Sequence, residues 1–261
     1  MKNLKKDLII PPEECKMMEL MSKAGFSKLH PGGQFSTEKL LELCKVDRTK
    51  RVVDIGCGPG ETTIYIAKRF GCQVTGIDIM PEMIKQAKEN ALKQKVSHLT
   101  RFETVDAMSP VYSDTSFDLA IFQAVLIFGD KQKMLNFAYH ALRDNGQVGA
   151  IELTWRDNPS EEIKEKFSTE FAKPLINVET IGGWKSNFSK AGFQKVVCKE
   201  IHSMNIGTFI NMWKGEEWVN KIKIALKCLS DIEVIKRMST IIRLLTKYPD
   251  NLDYGFYLSQ K

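Results

Sequence analysis

The chain has 261 residues, of which 43% are hydrophobic and 27% are charged, as is typical of a globular protein with one large domain or two small ones. No apolar run approaches the ~18 residues that span a bilayer, and Pro11 and Pro12 interrupt the apolar stretch near the start. We therefore expect a cytoplasmic protein without stable membrane insertion. The six cysteines form no C-x-x-C pair, so we expect no metal site, and a net charge of +6 permits an anionic partner without requiring one.

The first 45 residues are predicted to form a helical cap. Helical patterns cover residues 13–23 and 36–44, with the loop His30-Pro31-Gly32-Gly33-Gln34 between them. Short β-branched runs then alternate with longer amphipathic stretches. Six strands are predicted over 51–55, 72–78, 100–105, 117–122, 147–153 and 195–202. Four helices are predicted over 61–70, 81–93, 131–142 and 181–191, the third ending at a turn over Asp144-Asn145-Gly146.

Strands separated by helices of this length pair in parallel with right-handed crossovers, which predicts a doubly wound α/β fold. Residues 204–251 interrupt the alternation with further helical patterns, and the alternating segment 255–259 predicts a closing strand. The expected sheet is therefore mostly parallel and seven-stranded. We divide the chain into a cap over 1–45, a core over 46–203, a helical lid over 204–251 and a closing strand over 252–261.

A glycine-rich turn follows the first strand in the sequence Asp54-Ile55-Gly56-Cys57-Gly58-Pro59-Gly60. Glycines at alternate positions let the backbone approach a ligand closely, and the helix behind them offers free amide groups in its first turn. The third glycine comes two positions after the second, a shorter spacing than in the dinucleotide-binding motif. The spacing disfavours a nicotinamide-dependent dehydrogenase, which we keep as one alternative.

This turn, with Asp54 two residues before it, resembles the cofactor loop of class I S-adenosylmethionine-dependent methyltransferases. Other motifs agree in order, since Asp78 ends the second strand and Asp106-Ala107 follows the third. The resemblance covers about residues 46–203 and implies a Rossmann-like fold that binds S-adenosyl-L-methionine. The candidate cofactor contacts, most of them implied by this resemblance, are Asp54, Gly56, Cys57, Gly58, Gly60, Asp78, Ile79, Met80, Asp106, Ala107 and Gln123.

The region after the fourth strand bears on the substrate class. Methyltransferases that act on exocyclic amines of DNA bases carry a (D/N)-P-P-(Y/F) loop there, whereas this chain has Phe122-Gln123-Ala124-Val125. Protein arginine methyltransferases need a pair of glutamates in the same region, and residues 123–129 contain none. The chain more closely resembles the small-molecule enzymes of the quinone-biosynthesis and phosphoethanolamine-methylating types. We expect a small-molecule methyl acceptor and no nucleic acid, with the acceptor atom and the oligomeric state left open.

Methyl transfer from a sulfonium is an in-line displacement that needs a base only when the acceptor must lose a proton. The candidate catalytic residues are His30, Gln123 and Glu152, and the candidate substrate contacts are Leu126, Trp155 and Trp213. The structural alternatives are a surface histidine at position 30 and a solvated strand end at Glu152. The main alternative to an enzyme is a non-catalytic or regulatory protein that binds S-adenosylmethionine.

The predicted lid carries eight basic residues against four acidic ones between Thr208 and Lys247. Such an excess is typical of a solvated helix face. It also fits attraction to an anionic acceptor or to lipid headgroups. Both interpretations stay open at the level of the sequence.

Overall fold

The computed structural model describes residues 20–21, 24–109, 112, 115–170 and 177–261. The helix that the sequence predicts over 13–23 lies largely outside these residues. In chain order the elements are α1 (Gly33–Leu43), β1 (Arg51–Ile55), α2 (Glu61–Phe70), β2 (Gln73–Asp78), α3 (Pro81–Lys93), β3 (Thr100–Thr104), β4 (Phe117–Gln123), a 3-10 turn (Leu126–Phe128), α4 (Lys131–Ala141), β5 (Leu142–Trp155), α5 (Glu161–Glu170), β6 (Glu179–Thr180), α6 (Ile181–Lys190), β7 (Gln194–Ser203), α7 (Ile206–Lys214), α8 (Trp218–Ser230), α9 (Ile232–Lys247) and β8 (Leu252–Gln260).

One mixed sheet organises the molecule, with strand order β3-β2-β1-β4-β5-β8-β7 and the two-residue β6 paired with the end of β5. The neighbours from β3 to β5 pair in parallel, and β8 is antiparallel to both β5 and β7. The chain adds β2 and β3 on one side of β1 and β4 and β5 on the other side. Right-handed crossovers in these two opposite directions place helices on both faces of the sheet. This confirms the predicted doubly wound, mostly parallel fold. Ligands of such sheets bind at the carboxyl ends of the strands near the switch point, which here lies between β1 and β4.

The central strands are buried on both faces. Four of the five residues of β1 are buried, and β4 buries Leu119, Ala120, Ile121 and Phe122. Parallel strands covered by helices read as continuous apolar runs instead of alternating ones. That is why these short runs were recognisable as strands in the sequence.

The prediction of a turn at Asp144-Asn145-Gly146 was wrong, because β5 starts at Leu142 and runs through these residues. Asn145 has a φ of +62°, and the pairing of β4 with β5 shifts register between Phe117 and Leu119. The polar turn residues therefore occupy an irregular stretch of strand. The asparagine tolerates the left-handed conformation better than most residues.

Helix α5 was missed in the sequence. Its single buried residue is Phe167, whose ring lies edge-on to Trp155 with centroids 5.4 Å apart. One buried aromatic gives too weak a helical pattern to predict the element.

No helix among the described residues is long and apolar enough to cross a membrane.

Helices α7, α8 and α9 lie between β7 and β8 and connect to the N-terminal segment. The buried Glu216 carboxylate accepts hydrogen bonds from the Ser27 amide and from the Ser27 hydroxyl, both at 2.8 Å. The Arg156 guanidinium donates two hydrogen bonds to the buried Asp253 carboxylate, at 3.0 and 2.9 Å. This pair holds the end of β5 against the start of β8. The Glu216 contact thus fixes the helical segment to the N-terminal segment, and the Arg156 contact fixes the strand that follows α9.

Candidate active site

A cavity of about 960 Å³ opens at the carboxyl ends of the central strands, within the usual size range of small-molecule pockets. One end is formed by the β1–α2 turn and by the residues that follow β2 and β3. The other end is formed by the N-terminal segment, the 3-10 turn and α7. The apolar side chains of this second end include Met21, Phe26, Leu29, Ile127, Phe128, Phe209 and Met212.

The glycines of the β1–α2 turn have three different roles. All three have positive φ, with values of +75° for Gly56, +53° for Gly58 and +85° for Gly60. A Cβ at Gly56 would lie 2.7 Å from Val125, whereas a Cβ at Gly58 would meet nothing within 4 Å. A Cβ at Gly60 would lie 2.9 Å from Ala87. Gly58 therefore leaves open space on the cavity, while Gly60 allows α2 and α3 to pack and does not line the cavity.

Carboxylates end β1 and β2 beside this turn. The Asp78 carboxylate accepts hydrogen bonds from the Gly58 amide at 2.9 Å and from the Met80 amide at 2.8 Å, so it fixes the glycine turn against the end of β2. Burial raises the pKa of Asp78. Asp54 accepts from the Thr63 hydroxyl at 2.7 Å, and burial raises the pKa of Asp54 to about 6. Both carboxyl groups line the cavity.

The residues after β3 complete this end. The Asp106 carboxylate accepts a hydrogen bond from the Met108 amide at 2.8 Å, which orders the turn that follows the strand. All the candidate cofactor contacts except Gly60 line the cavity: Asp54, Gly56, Cys57, Gly58, Asp78, Ile79, Met80, Asp106, Ala107 and Gln123. The structure therefore brings together residues from the ends of four strands.

A buried polar chain links the two ends of the cavity. The Gln123 carbonyl accepts from the Thr62 hydroxyl at 2.6 Å, and its amide donates to the Thr37 hydroxyl oxygen at 3.0 Å. Thr37 in turn lies 3.1 Å from His30 Nε2. Thr37 and Thr62 were missed in the sequence, because nothing in a single threonine on a helix indicates which side chain it will meet in the folded chain.

His30 lies in the cavity wall and is only 7% exposed, so the alternative of a surface histidine was wrong. Its Nδ1 lies 3.3 Å from both the Pro31 carbonyl oxygen and the Ser36 hydroxyl. Burial lowers the pKa of His30 to about 4, so the imidazole is neutral at neutral pH.

Glu152 is fully buried, so the alternative of a solvated strand end was also wrong. One carboxyl oxygen accepts from the amides of Val125 and Leu126, both at 3.2 Å, and the other has no hydrogen-bond partner in the part of the chain that the structure describes. Burial raises the pKa of Glu152 to about 8, which keeps the carboxyl protonated at neutral pH. It does not line the cavity, and its contacts fix the backbone after β4.

The geometry does not support the three predicted substrate contacts. Leu126 and Trp155 are buried outside the cavity wall, and Trp213 is 38% exposed and donates its indole N–H to the Lys221 carbonyl at 3.2 Å. The residue before Leu126, which is Val125, lines the cavity instead, and so does the residue before Trp213, which is Met212. Successive side chains of a helix point about 100° apart, so a difference of one residue exchanges the cavity for the core at Leu126 and for the surface at Trp213.

Comparison with known proteins identifies the family. A family model described as a methyltransferase domain matches residues 46–196. The chain belongs to this methyltransferase family. Membership confirms the predicted enzyme class, that of the S-adenosylmethionine-dependent methyltransferases.

Similar proteins include enzymes with small-molecule acceptors. The phosphoethanolamine N-methyltransferase of Triticum aestivum is 29% identical over 171 residues, which are 65% of this chain and 33% of that enzyme. The 27-O-demethylrifamycin SV methyltransferase of Amycolatopsis mediterranei is 26% identical over 63% of this chain and 61% of that enzyme. The structure of Haemonchus contortus phosphoethanolamine N-methyltransferase 2 in complex with S-adenosyl-L-methionine superposes with a TM-score of 0.72 at 21% identity, over 94% of this chain and 56% of that one.

Proposed function

We propose that this methyltransferase moves a methyl group from S-adenosylmethionine to a small-molecule acceptor that has an apolar part. The observation that carries the proposal is the continuity of the cavity. Its polar end is made of the glycine turn and the strand-end carboxylates, and its apolar end is made of the N-terminal segment and α7. A single continuous space of this kind lets a cofactor and an acceptor bind in line with each other.

The polar end fits the cofactor by the chemistry of its groups. Carboxylate oxygens of Asp78 and Asp106 accept hydrogen bonds from hydroxyl and amino groups, both of which S-adenosylmethionine carries. The open space beside Gly58 allows close approach of a ligand to the backbone. When bound, the cofactor supplies an electrophilic methyl group on a sulfonium.

Gln123 is the residue we assign to positioning between the two ends. Its amide is held from both sides by the Thr62 and Thr37 hydroxyls, so its orientation is fixed before ligands bind. Fixed polar groups lose little conformational freedom when the reacting groups meet. The cap residues beside it help to exclude water from the transfer.

The same polar chain argues against His30 as a general base. Because Gln123 donates to the Thr37 oxygen, the Thr37 proton is directed to His30 Nε2, and Nδ1–H then faces the Pro31 carbonyl. Both ring nitrogens are engaged, and the lowered pKa makes the imidazole a weak base. We therefore assign His30 to positioning Thr37, and Glu152 to positioning the backbone after β4.

The acceptor class follows from the apolar end. Methionine, leucine and phenylalanine side chains form most of this wall, and Lys28 is the charged residue that the N-terminal segment adds to it. An acceptor with an apolar body and one nucleophilic group suits such a wall better than a wholly polar one. We place the enzyme in the cytoplasm, because the described cysteines are free thiols.

The proposal is tested by titration calorimetry with S-adenosylmethionine, followed by measurement of S-adenosylhomocysteine release. The acceptor panel contains phosphoethanolamine and a series of phenols with apolar chains of increasing length. We expect cofactor binding that Asp78→Ala weakens by about tenfold or more and that Asp144→Ala, an exposed control, leaves unchanged. Cofactor binding without product release from any acceptor would favour the non-catalytic alternative.

A further inference from the structure

Helix α8 exposes a row of large apolar side chains to solvent. The exposed fractions are 75% for Trp218, 59% for Val219, 45% for Ile222, 60% for Leu226 and 80% for Leu229. These five residues define the exposed apolar face of α8. Ile224 is the residue that the helix buries.

The exposed apolar residues form one stripe. At about 100° per residue, positions 218, 222, 226, 229 and 219 fall within an arc of roughly 100°, and position 224 lies on the opposite side of the helix. An amphipathic helix of a globular protein normally turns such a stripe toward the core. No described residue covers the stripe here, and contiguous exposed apolar surface marks an interaction site.

The charges of α8 indicate the chemistry of the partner. The helix contains Lys221, Lys223 and Lys227 and no acidic residue. By the same 100° rotation, Lys223 and Lys227 lie on one side of the apolar stripe and Lys221 on the other. An apolar stripe that carries a tryptophan and is bordered by lysines is typical of helices that lie in the headgroup region of an anionic bilayer.

We propose that α8 docks this face on the surface of an anionic membrane. The apolar side chains enter the boundary between headgroups and acyl chains, and Lys221 and Lys223 contact lipid phosphates, whereas Lys227 lies 4.0 Å from the Asp231 carboxylate at the end of the helix. Docking through a face parallel to the membrane needs no spanning helix. The same charges disfavour a second copy of this chain as the occupant, because a two-fold interface on this face would bring two sets of three lysines together.

The proposal is tested with the full-length protein and vesicles in a flotation assay. One set of vesicles is phosphatidylcholine alone, and the other is phosphatidylcholine mixed with phosphatidylglycerol. We expect binding to the anionic vesicles that high salt weakens. The variant Trp218→Ser/Leu229→Ser and the variant Lys221→Gln/Lys223→Gln should each lower binding by about tenfold or more, since both apolar and charged contacts contribute.

Matched controls separate this role from a general effect on the fold. Leu92→Ser removes another exposed leucine, 66% accessible on α3, and should leave vesicle binding unchanged. The changed side chains are exposed or at the edge of α8, so circular dichroism and cofactor affinity should match the unmodified protein. Failure to bind anionic vesicles, or equal binding by all variants, would overturn the proposal. A dimer that Trp218→Ser/Leu229→Ser converts to a monomer would overturn it in favour of a second copy.

Discussion

The two ends of the cavity differ in how far apart along the chain their residues lie. The polar end gathers residues from 54 to 123, each of them at or just after the carboxyl end of a strand in the parallel part of the sheet. The apolar end joins residues near position 26 to residues near position 212. The hydrogen bonds between Ser27 and the buried Glu216 carboxylate, which we call the clamp, link positions 189 residues apart. The first arrangement repeats a strand–turn–helix unit that is local in sequence. The second exists only because distant helices meet over the sheet.

The largest expected effect concerns Glu152, which lies in the core and holds the start of the 3-10 turn. Its pKa of about 8 in the folded protein exceeds the ordinary value of 4.5. The folded state therefore keeps a proton that the unfolded state releases, and stability falls as the pH rises from about 4.5 to 8, by about 1.4 kcal/mol for each unit of pKa difference.

We expect Glu152→Gln to remove this loss, so that the variant gains stability relative to the unmodified protein as the pH rises through that window. Urea unfolding at a series of pH values measures the effect. Glu89→Gln, on an exposed position of α3, is the control and should keep the pH dependence of the unmodified protein. Parallel pH curves for Glu152→Gln and the unmodified protein would show that the carboxyl ionises normally.

Gly56→Ala tests how strictly the polar end depends on its turn. The added methyl group would lie 2.7 Å from Val125 in a residue with φ of +75°. Gly71→Ala is a close control, because Gly71 has a φ of +70° and open space around its Cβ position. Both variants carry the left-handed penalty of about 1–2 kcal/mol.

Gly56→Ala should lose about 1–3 kcal/mol of unfolding free energy beyond Gly71→Ala, because of overpacking against Val125. It should also weaken binding of S-adenosylmethionine, which Gly71→Ala should not. Denaturant unfolding and calorimetry measure the two effects. Equal stabilities and equal affinities would mean that the turn relaxes around the methyl group.

Glu216→Ala tests the apolar end by removing its clamp. The variant leaves the Ser27 amide and hydroxyl without their carboxylate partner, at a cost of about 1–3 kcal/mol. We expect the KM for the acceptor to rise while the Kd of the cofactor is unchanged. Its neighbour Glu217 is exposed, so Glu217→Ala is the control in the same steady-state assay. An equal loss of cofactor affinity would show that the two ends are not separable.

The smallest expected effect is that of Thr37→Val, which cuts the polar chain between the ends at nearly constant volume. It removes the hydroxyl that contacts both Gln123 and His30, at a cost of about 1 kcal/mol. We expect a lower kcat with little change in either binding constant. Thr240→Val, at a partly exposed position of α9, is the control in single-turnover kinetics. A kcat equal to that of the unmodified protein would show that the orientation of the Gln123 side chain does not affect methyl transfer.

Local sequence patterns were enough to predict the fold class and the residues of the polar end. A buried strand, a glycine turn with alternating glycines and a helix start occur within residues 51–61, and the acidic residues after β2 and β3 follow by the same rule. Because parallel strands align their carboxyl ends, residues that follow strands converge without any further information. Gly60 is the exception, since the neighbours that it packs against come from α3 and β3.

The apolar end required tertiary structure for a physical reason. Whether Met212 or Trp213, and Val125 or Leu126, lines the cavity depends on the rotation of one helix and one 3-10 turn against the sheet, which periodicity alone does not specify. Burial of Glu152 and His30 depends likewise on the elements that cover them. The sequence by itself determined the class of fold and the cofactor-binding turn, because those are encoded over short spans. Only the packing of distant segments decided which side chains line the rest of the cavity and which apolar face stays exposed.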